Sequence, residues 1–221
     1  MYERRFCRKY DGWVWTIISL GKGGPMTVAT DRRMTLKDFL TYDDGTDTRY
    51  ELEDGVLVEM GTESTGNTSI GMFWISIFLG MGIPHYRLAT KHTIEVRGGY
   101  ANARYPDLMV HSDESFAAIN GRPEACVELT DPSPMLVIEV VSPGAESSKN
   151  YKRDYKWKPR EYADREIPEL WQIDAERKWV RVGILVSGGY QFATFQGDDA
   201  IVSPTFPDLN LTAAQVLSAG R

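Results

Sequence analysis

Residues 135–141 read MLVIEVV, an apolar run broken once, at Glu139. Such runs form strands buried on both faces, and a carboxylate inside one is costly unless its charge is compensated. Elsewhere the pattern predicts elements more directly. Thr35 with Asp38 makes a capping box for a short helix ending near Tyr42. The stretch RYELEDGVLVEM sets Asp54-Gly55 between two alternating segments, which predicts a hairpin. Ile70, Phe73, Trp74, Ile77 and Phe78 recur at helical spacing within residues 67–81. Strands are predicted over 85–96 and 103–111, joined by RGG, and residues 112–134 read as loop with one helical turn. After the MLVIEVV strand, GAESSKN is a polar loop and YKRDYKWKPREYADR a helix. Three strands follow (PELWQID, WVRVGILV and YQFATF), with Gly188-Gly189 turning the last pair, and a final helix starts at Thr212. The order predicts an α+β (mixed α/β) fold around one mixed sheet flanked by helices, with an N-terminal hairpin.

Composition narrows this picture. The 221 residues suit one domain with a sizeable core, and 42% apolar with 25% charged residues is ordinary for a folded chain. Two cysteines, Cys7 and Cys126, form neither a disulfide framework nor a metal spacing, so a reducing, cytoplasmic setting is expected. The net charge of −6 argues against a broadly basic nucleic-acid surface; any DNA contact would be local or helped by cations. The apolar run from Trp13 to Leu20 is too short to span a bilayer, and no small-x-small cleavage site follows it. GKGGPM can be encoded by a stretch containing AAGGAGG, a bacterial ribosome-binding site. Met26 is therefore expected to be the native start, with residues 1–25 a non-native leader and 26–221 a single domain. The leader holds five Lys/Arg and two Asp/Glu, a net of +3, so without it the charge is −6 − 3 = −9.

Asp107 follows Pro106 in ARYPDLMV, and the proline suits a strand edge or bulge. If its strand neighbours that of Glu139, two carboxylates converge. Such a pair holds its charge poorly unless a cation lies between them. Mg²⁺ (or Mn²⁺) fits, since it takes hard oxygen ligands and keeps open water positions. Each acid also has a bland reading: a paired core acid for Glu139, a turn acid for Asp107. Lys158 alone would be a solvated helix lysine and Glu51 an exposed hairpin acid. His85, His92 and His111 have no ligand spacing and read as structural or surface residues. Trp157, Tyr162 and Trp171 read as core.

Asp107 followed by Glu139-x-Val141 resembles the PD-(D/E)xK nuclease pattern, with valine where lysine is expected. From about Met34 to residue 218 the chain is similar to the Uma-two family of restriction endonucleases, abundant in cyanobacteria. The segments RYELEDGVLVEM, RYPDLMV, MLVIEVVSPG, RDYKWKPREYADREIPELWQID and DDAIVSPTFPDLNLTAAQVL carry the likeness. The resemblance implies a restriction-endonuclease-like core and hydrolysis of DNA phosphodiesters by a metal-activated water. It implies a metal set of Asp107, Glu139 and Val140, catalytic roles for Lys158 and Glu51 beside those two acids, and orienting roles for Asp154 and Tyr162. Asp154, Lys158 and Tyr162 stack along one helix face. DNA is the expected partner, a homodimer is compatible with the sequence, and no membrane is implied. The alternative is a nuclease-fold module without catalysis that binds nucleic acid or protein.

Three departures from the family pattern stand out. Pro159 follows Lys158, which disfavours helical geometry at the lysine and leaves Lys156 and Lys152 as competitors. Glu166 replaces a glycine where an easy left-handed helix cap would sit. Asn67 replaces a histidine.

Overall fold

The computed structural model describes residues 33–220, so Cys7 and the expected boundary at Met26 lie outside the described residues. The first helix, α1 (Leu36–Leu40), carries the reciprocal Thr35–Asp38 capping box, and the hairpin of β1 (Tyr50–Glu53) and β2 (Val56–Glu59) follows. At its turn Asp54 and Gly55 take φ of 51° and 77°, the left-handed pair of a type I′ turn. A Cβ on Gly55 would lie 2.6 Å from the Tyr100 ring, so space as well as φ requires glycine there. Helix α2 (Thr65–Gly80), N-capped by Ser64, buries Ile70, Trp74 and Phe78, as their spacing predicts.

The expected single sheet is two. A smaller sheet has the order β2-β1-β5-β4-β7 and a larger one β11-β10-β9-β8-β6-β3. The difference arises because two predicted strands each split and change sheet. Residues 85–96 form a 3₁₀ turn (His85–Arg87), then β3 (Leu88–Ala89) in the larger sheet and β4 (Thr93–Val96) in the smaller. Residues 102–110 form β5 (Asn102–Arg104) in the smaller sheet and β6 (Leu108–Val110) in the larger. Pro106, with no N–H to give a ladder, sits in the second break beside Asp107. The stretch expected as loop holds a seven-residue helix, α3 (Asp113–Ile119), capped by Ser112, and the short strand β7 (Cys126–Val127).

Strand β8 (Leu136–Val140) pairs antiparallel with β6 and parallel with β9 (Glu169–Asp174), and all five of its residues are buried. Strands β10 (Trp179–Val186) and β11 (Gly189–Phe195) complete the larger sheet. They turn on Ser187 and Gly188, both at positive φ, so the turn lies one residue earlier than expected and Gly189 is already strand. One face of the sheet packs Leu136, Ile138, Val140 and Trp171 against α2 and α6 (Ala213–Ser218), whose N-cap is Thr212. Trp74 and Trp171 meet edge-to-face there at 4.6 Å between centroids. The other face packs Met109, Val137 and Leu170 against Tyr162 and Ile167.

The predicted helix over 151–165 is three pieces in series: α4 (Lys149–Lys152), a π turn (Arg153–Trp157) and α5 (Lys158–Asp164). Lys158 is helical (φ −54°, ψ −45°) despite preceding a proline. The wider turn lets the helix restart with Pro159 in its first turn, where a missing N–H is least costly. The left-handed cap survives without glycine. Glu166 takes φ 56°, its N–H reaches the Ala163 carbonyl at 2.8 Å and the Ile167 N–H reaches that of Tyr162 at 3.2 Å, a Schellman motif. Among the described residues no helix is long and apolar enough to cross a membrane.

Candidate functional site

Where the two sheets diverge, a cavity of about 340 Å³ opens, lined among others by Glu51, Tyr105, Asp107, Glu139, Asp154 and Lys158. Register explains the meeting of the two acids. Leu108 stands opposite Ile138 in the β6–β8 ladder, so Asp107 and Glu139 are the next residues beyond that pair. Asp107, only partly buried because it faces the cavity, accepts the Val140 N–H on Oδ2 at 2.6 Å. Enclosure by protein, followed by the charge of Glu139, pushes its carboxyl up to about 8.

Glu139, 4% exposed, is compensated from α5. Lys158 Nζ lies 2.7 Å from Oε2, and the Tyr162 hydroxyl donates to Oε1 at 2.5 Å. Burial raises the Glu139 carboxyl against the pull of Lys158. The same burial would strip the proton from Lys158, but Glu139 and Glu51 outweigh it and hold the ammonium. Tyr162, raised well above a free phenol by burial and by Glu139, remains a donor. Lys152 and Lys156 are exposed, so of the three competing lysines only Lys158 enters the cavity.

Glu51 is 3% exposed, unlike an ordinary hairpin acid. Its Oε1 is 3.3 Å from Lys158 Nζ and takes the Tyr105 N–H, and its Oε2 takes Arg104 Nη1 at 3.1 Å. Burial works against its charge, yet Lys158 and Arg104 prevail and hold it at about 2. Asp154 shares the helix face but makes no hydrogen bond to Lys158; it binds the Arg153 guanidinium and accepts the Ser142 N–H. Asn67 lines the cavity near the start of α2.

Sequence reasoning missed Arg104. Buried at 2% exposure, it joins Glu51 and Glu53 of the hairpin to Glu161 of α5, the last through two 2.7 Å bonds. Its sole signal is the alternation of Asn102 and Arg104 with Ala101 and Ala103, which does not say what the arginine faces. His92 and His111 hydrogen-bond to each other at 2.9 Å, away from the cavity, and Trp157 is exposed rather than core, whereas Tyr162 and Trp171 are fully buried. Among the described residues no group of three or more His, Cys, Asp or Glu side chains is arranged to hold a metal. The cavity offers instead a pair of carboxylates, Asp107 and Glu139, with room for water.

Among solved structures the chain is similar to a protein from Anabaena variabilis ATCC 29413 described as "a putative nuclease belonging to DUF820". The TM-score is 0.60 at 18% identity, over 85% of this chain and 99% of that one, a likeness of fold. No curated protein matches the chain. The Uma2 family model, described as "Putative restriction endonuclease", matches residues 36–214, and the chain belongs to that family.

Proposed function

We propose that the protein is a Mg²⁺-dependent DNA endonuclease, with Asp107 and Glu139 as its metal-holding acids. The observation that carries this reading is the Lys158 ammonium, 2.7 Å from Glu139 in a cavity that Asp107 also lines. Two hard carboxylates beside free volume suit a cation that keeps most of its waters, with the main chain of Val140 as a third donor. Such an ion, when bound, lowers the pKa of water and neutralises phosphate charge. Holding it requires Asp107 to give up the proton that its enclosure favours. Lys158 donates to a phosphate oxygen as negative charge develops there. Glu51 keeps Lys158 charged and can hold a water in place as an acceptor, while Tyr162 fixes the Glu139 carboxylate. Asp154 anchors the start of the loop after β8 through the Ser142 N–H.

The second reading, a non-catalytic module that binds nucleic acid or protein, is favoured by one observation: Lys158 is already committed to two carboxylates. Plasmid nicking with Mg²⁺ or Mn²⁺ separates the two. Cleavage by the wild type that is lost in Glu139→Gln supports the enzyme, and wild-type cleavage no greater than that of Glu139→Gln supports the module.

A further inference from the structure

The π turn ahead of α5 leaves one main-chain acceptor without its helical donor. In an α register the Asp154 carbonyl would take the N–H of Lys158, four residues on. That N–H goes instead to the Arg153 carbonyl, five residues back. The next residue, the donor that a π register would offer to Asp154, is Pro159, which has no N–H. The carbonyl belongs to a residue only 2% exposed, so water is not an easy substitute.

Gln172 fills this gap. It lies on β9 directly opposite Glu139 in the parallel ladder and is 1% exposed. Its Nε2 donates to the Asp154 carbonyl. Its Oε1 accepts from Arg181 Nη1 of β10 at 3.1 Å, which fixes the end of the amide that faces the helix. The strand beside the central acid thus supplies the N–H that the helix lost to proline, at the turn immediately preceding Lys158.

We infer that Gln172 is a positioning residue for Lys158, its side-chain amide standing in for the missing N–H of Pro159 and holding the π turn that brings the ammonium to Glu139 and Glu51. Arg181 supports it from outside. The two unusual features of the region, a proline after the lysine and a glutamine buried in a central strand, form one compensating pair. The effect on catalysis rests on the role proposed for Lys158; the effect on where Lys158 sits does not.

The test is a cycle of wild type, Gln172→Met, Pro159→Ala and the double variant, with two readouts. The first is the rate at which acetic anhydride labels Lys158, followed by mass spectrometry. The second is Mn²⁺-dependent nicking under saturating conditions, alongside Mn²⁺ affinity by calorimetry. In Gln172→Met the labelling of Lys158 should rise, and turnover should fall, each about tenfold, the scale of one unpaired buried carbonyl. Mn²⁺ affinity should stay unchanged. Pro159→Ala restores a main-chain donor, so in that background Gln172→Met should change labelling and turnover by less than about twofold. Arg181→Met removes the outer hydrogen bond together with the guanidinium's contacts on the Tyr155 and Phe192 rings but leaves the Gln172 amide in place. It should therefore shift labelling in the same direction by less, and it covers the case in which Gln172→Met does not fold. Equal effects of Gln172→Met with and without Pro159 would overturn the inference, as would unchanged labelling in both Gln172→Met and Arg181→Met. A wild type that does not nick DNA would count against the nuclease reading alone, because labelling reads the position of Lys158 without catalysis.

Discussion

On one face of β8, Leu136, Ile138 and Val140 belong to a single apolar cluster with Trp74, Phe78 and Trp171. On the other, Val137 packs with Tyr162 and Ile167, and Glu139 is held by Lys158 and Tyr162. The side chains of both faces are buried. The first is stabilised by dispersion and by removal of apolar surface from water, so each side chain contributes nearly independently. The second is stabilised only as a set, because each buried charge is tolerable only while its partners are present. Losses on the apolar face should therefore be graded, whereas on the charged face they should be large and should depend on which partner remains.

The largest effect expected is that of Lys158→Met, which leaves Glu139 and Glu51 buried without their shared cation. Urea unfolding at neutral pH should show a loss of about 3–5 kcal/mol. The double variant Lys158→Met/Glu139→Gln should recover a good part of it, and failure to recover would mean that the two do not act as a set. Asp107→Asn should do the reverse in the metal-free protein. The folded carboxyl is raised to about 8, whereas the unfolded one stays near its ordinary value of 3.8, so between these the folded state binds more protons. The contribution of Asp107 to wild-type stability must then fall as pH rises through that window. Asparagine retains an acceptor for the Val140 N–H, so its advantage should be absent near pH 4 and grow with each pH unit to a few kcal/mol at pH 8. A pH-independent difference would remove the case for a proton on Asp107.

On the apolar face, Ile138→Val should cost about 1 kcal/mol and combine additively with changes at Glu139. Coupling between the two would blur the contrast between the faces. The smallest effect lies at the helix end: Glu166→Gly should stabilise by about 0.5–1 kcal/mol, because glycine adopts the left-handed cap without a Cβ penalty. A destabilised variant would mean that the Glu166 side chain contributes more than its backbone strain costs.

The apolar face was legible before the structure and most of the charged one was not. Ile70, Trp74 and Phe78 announce α2 by spacing, Asp54-Gly55 announces its turn, and the capping residues Thr35 and Thr212 announce their helices, because each signal lies within a few residues. Glu139 was conspicuous as a charge in an apolar run and Asp107 as an acid at a proline-marked strand edge, whereas Glu51 and Lys158 came from a family pattern rather than from any local rule. Arg104 left almost no trace, since an arginine in a strand looks the same whether it meets solvent or three glutamates. The break at Pro106 was readable as a strand edge, but a change of sheet depends on pairings formed with distant segments. The π turn was hidden for a similar reason. Pro159 signals that something must give, yet the donor that resolves it, on Gln172, comes from another strand.

The hairpin carrying Glu51 is complete, turn and register included, within residues 50–59. Its acid nevertheless becomes neutralised only through Arg104 and Lys158, the latter 107 positions later in the chain (158 − 51). At a synthesis rate of about 5–20 residues per second, that separation is an interval of roughly 5–20 s. Through the first half of it neither cation has been made, and through the second half Arg104 has but Lys158 has not, so the hairpin can exist on the ribosome only with Glu51 still partly hydrated. Among the described residues, the first β-structure to emerge thus waits for a helix made much later before it can close over its own acid.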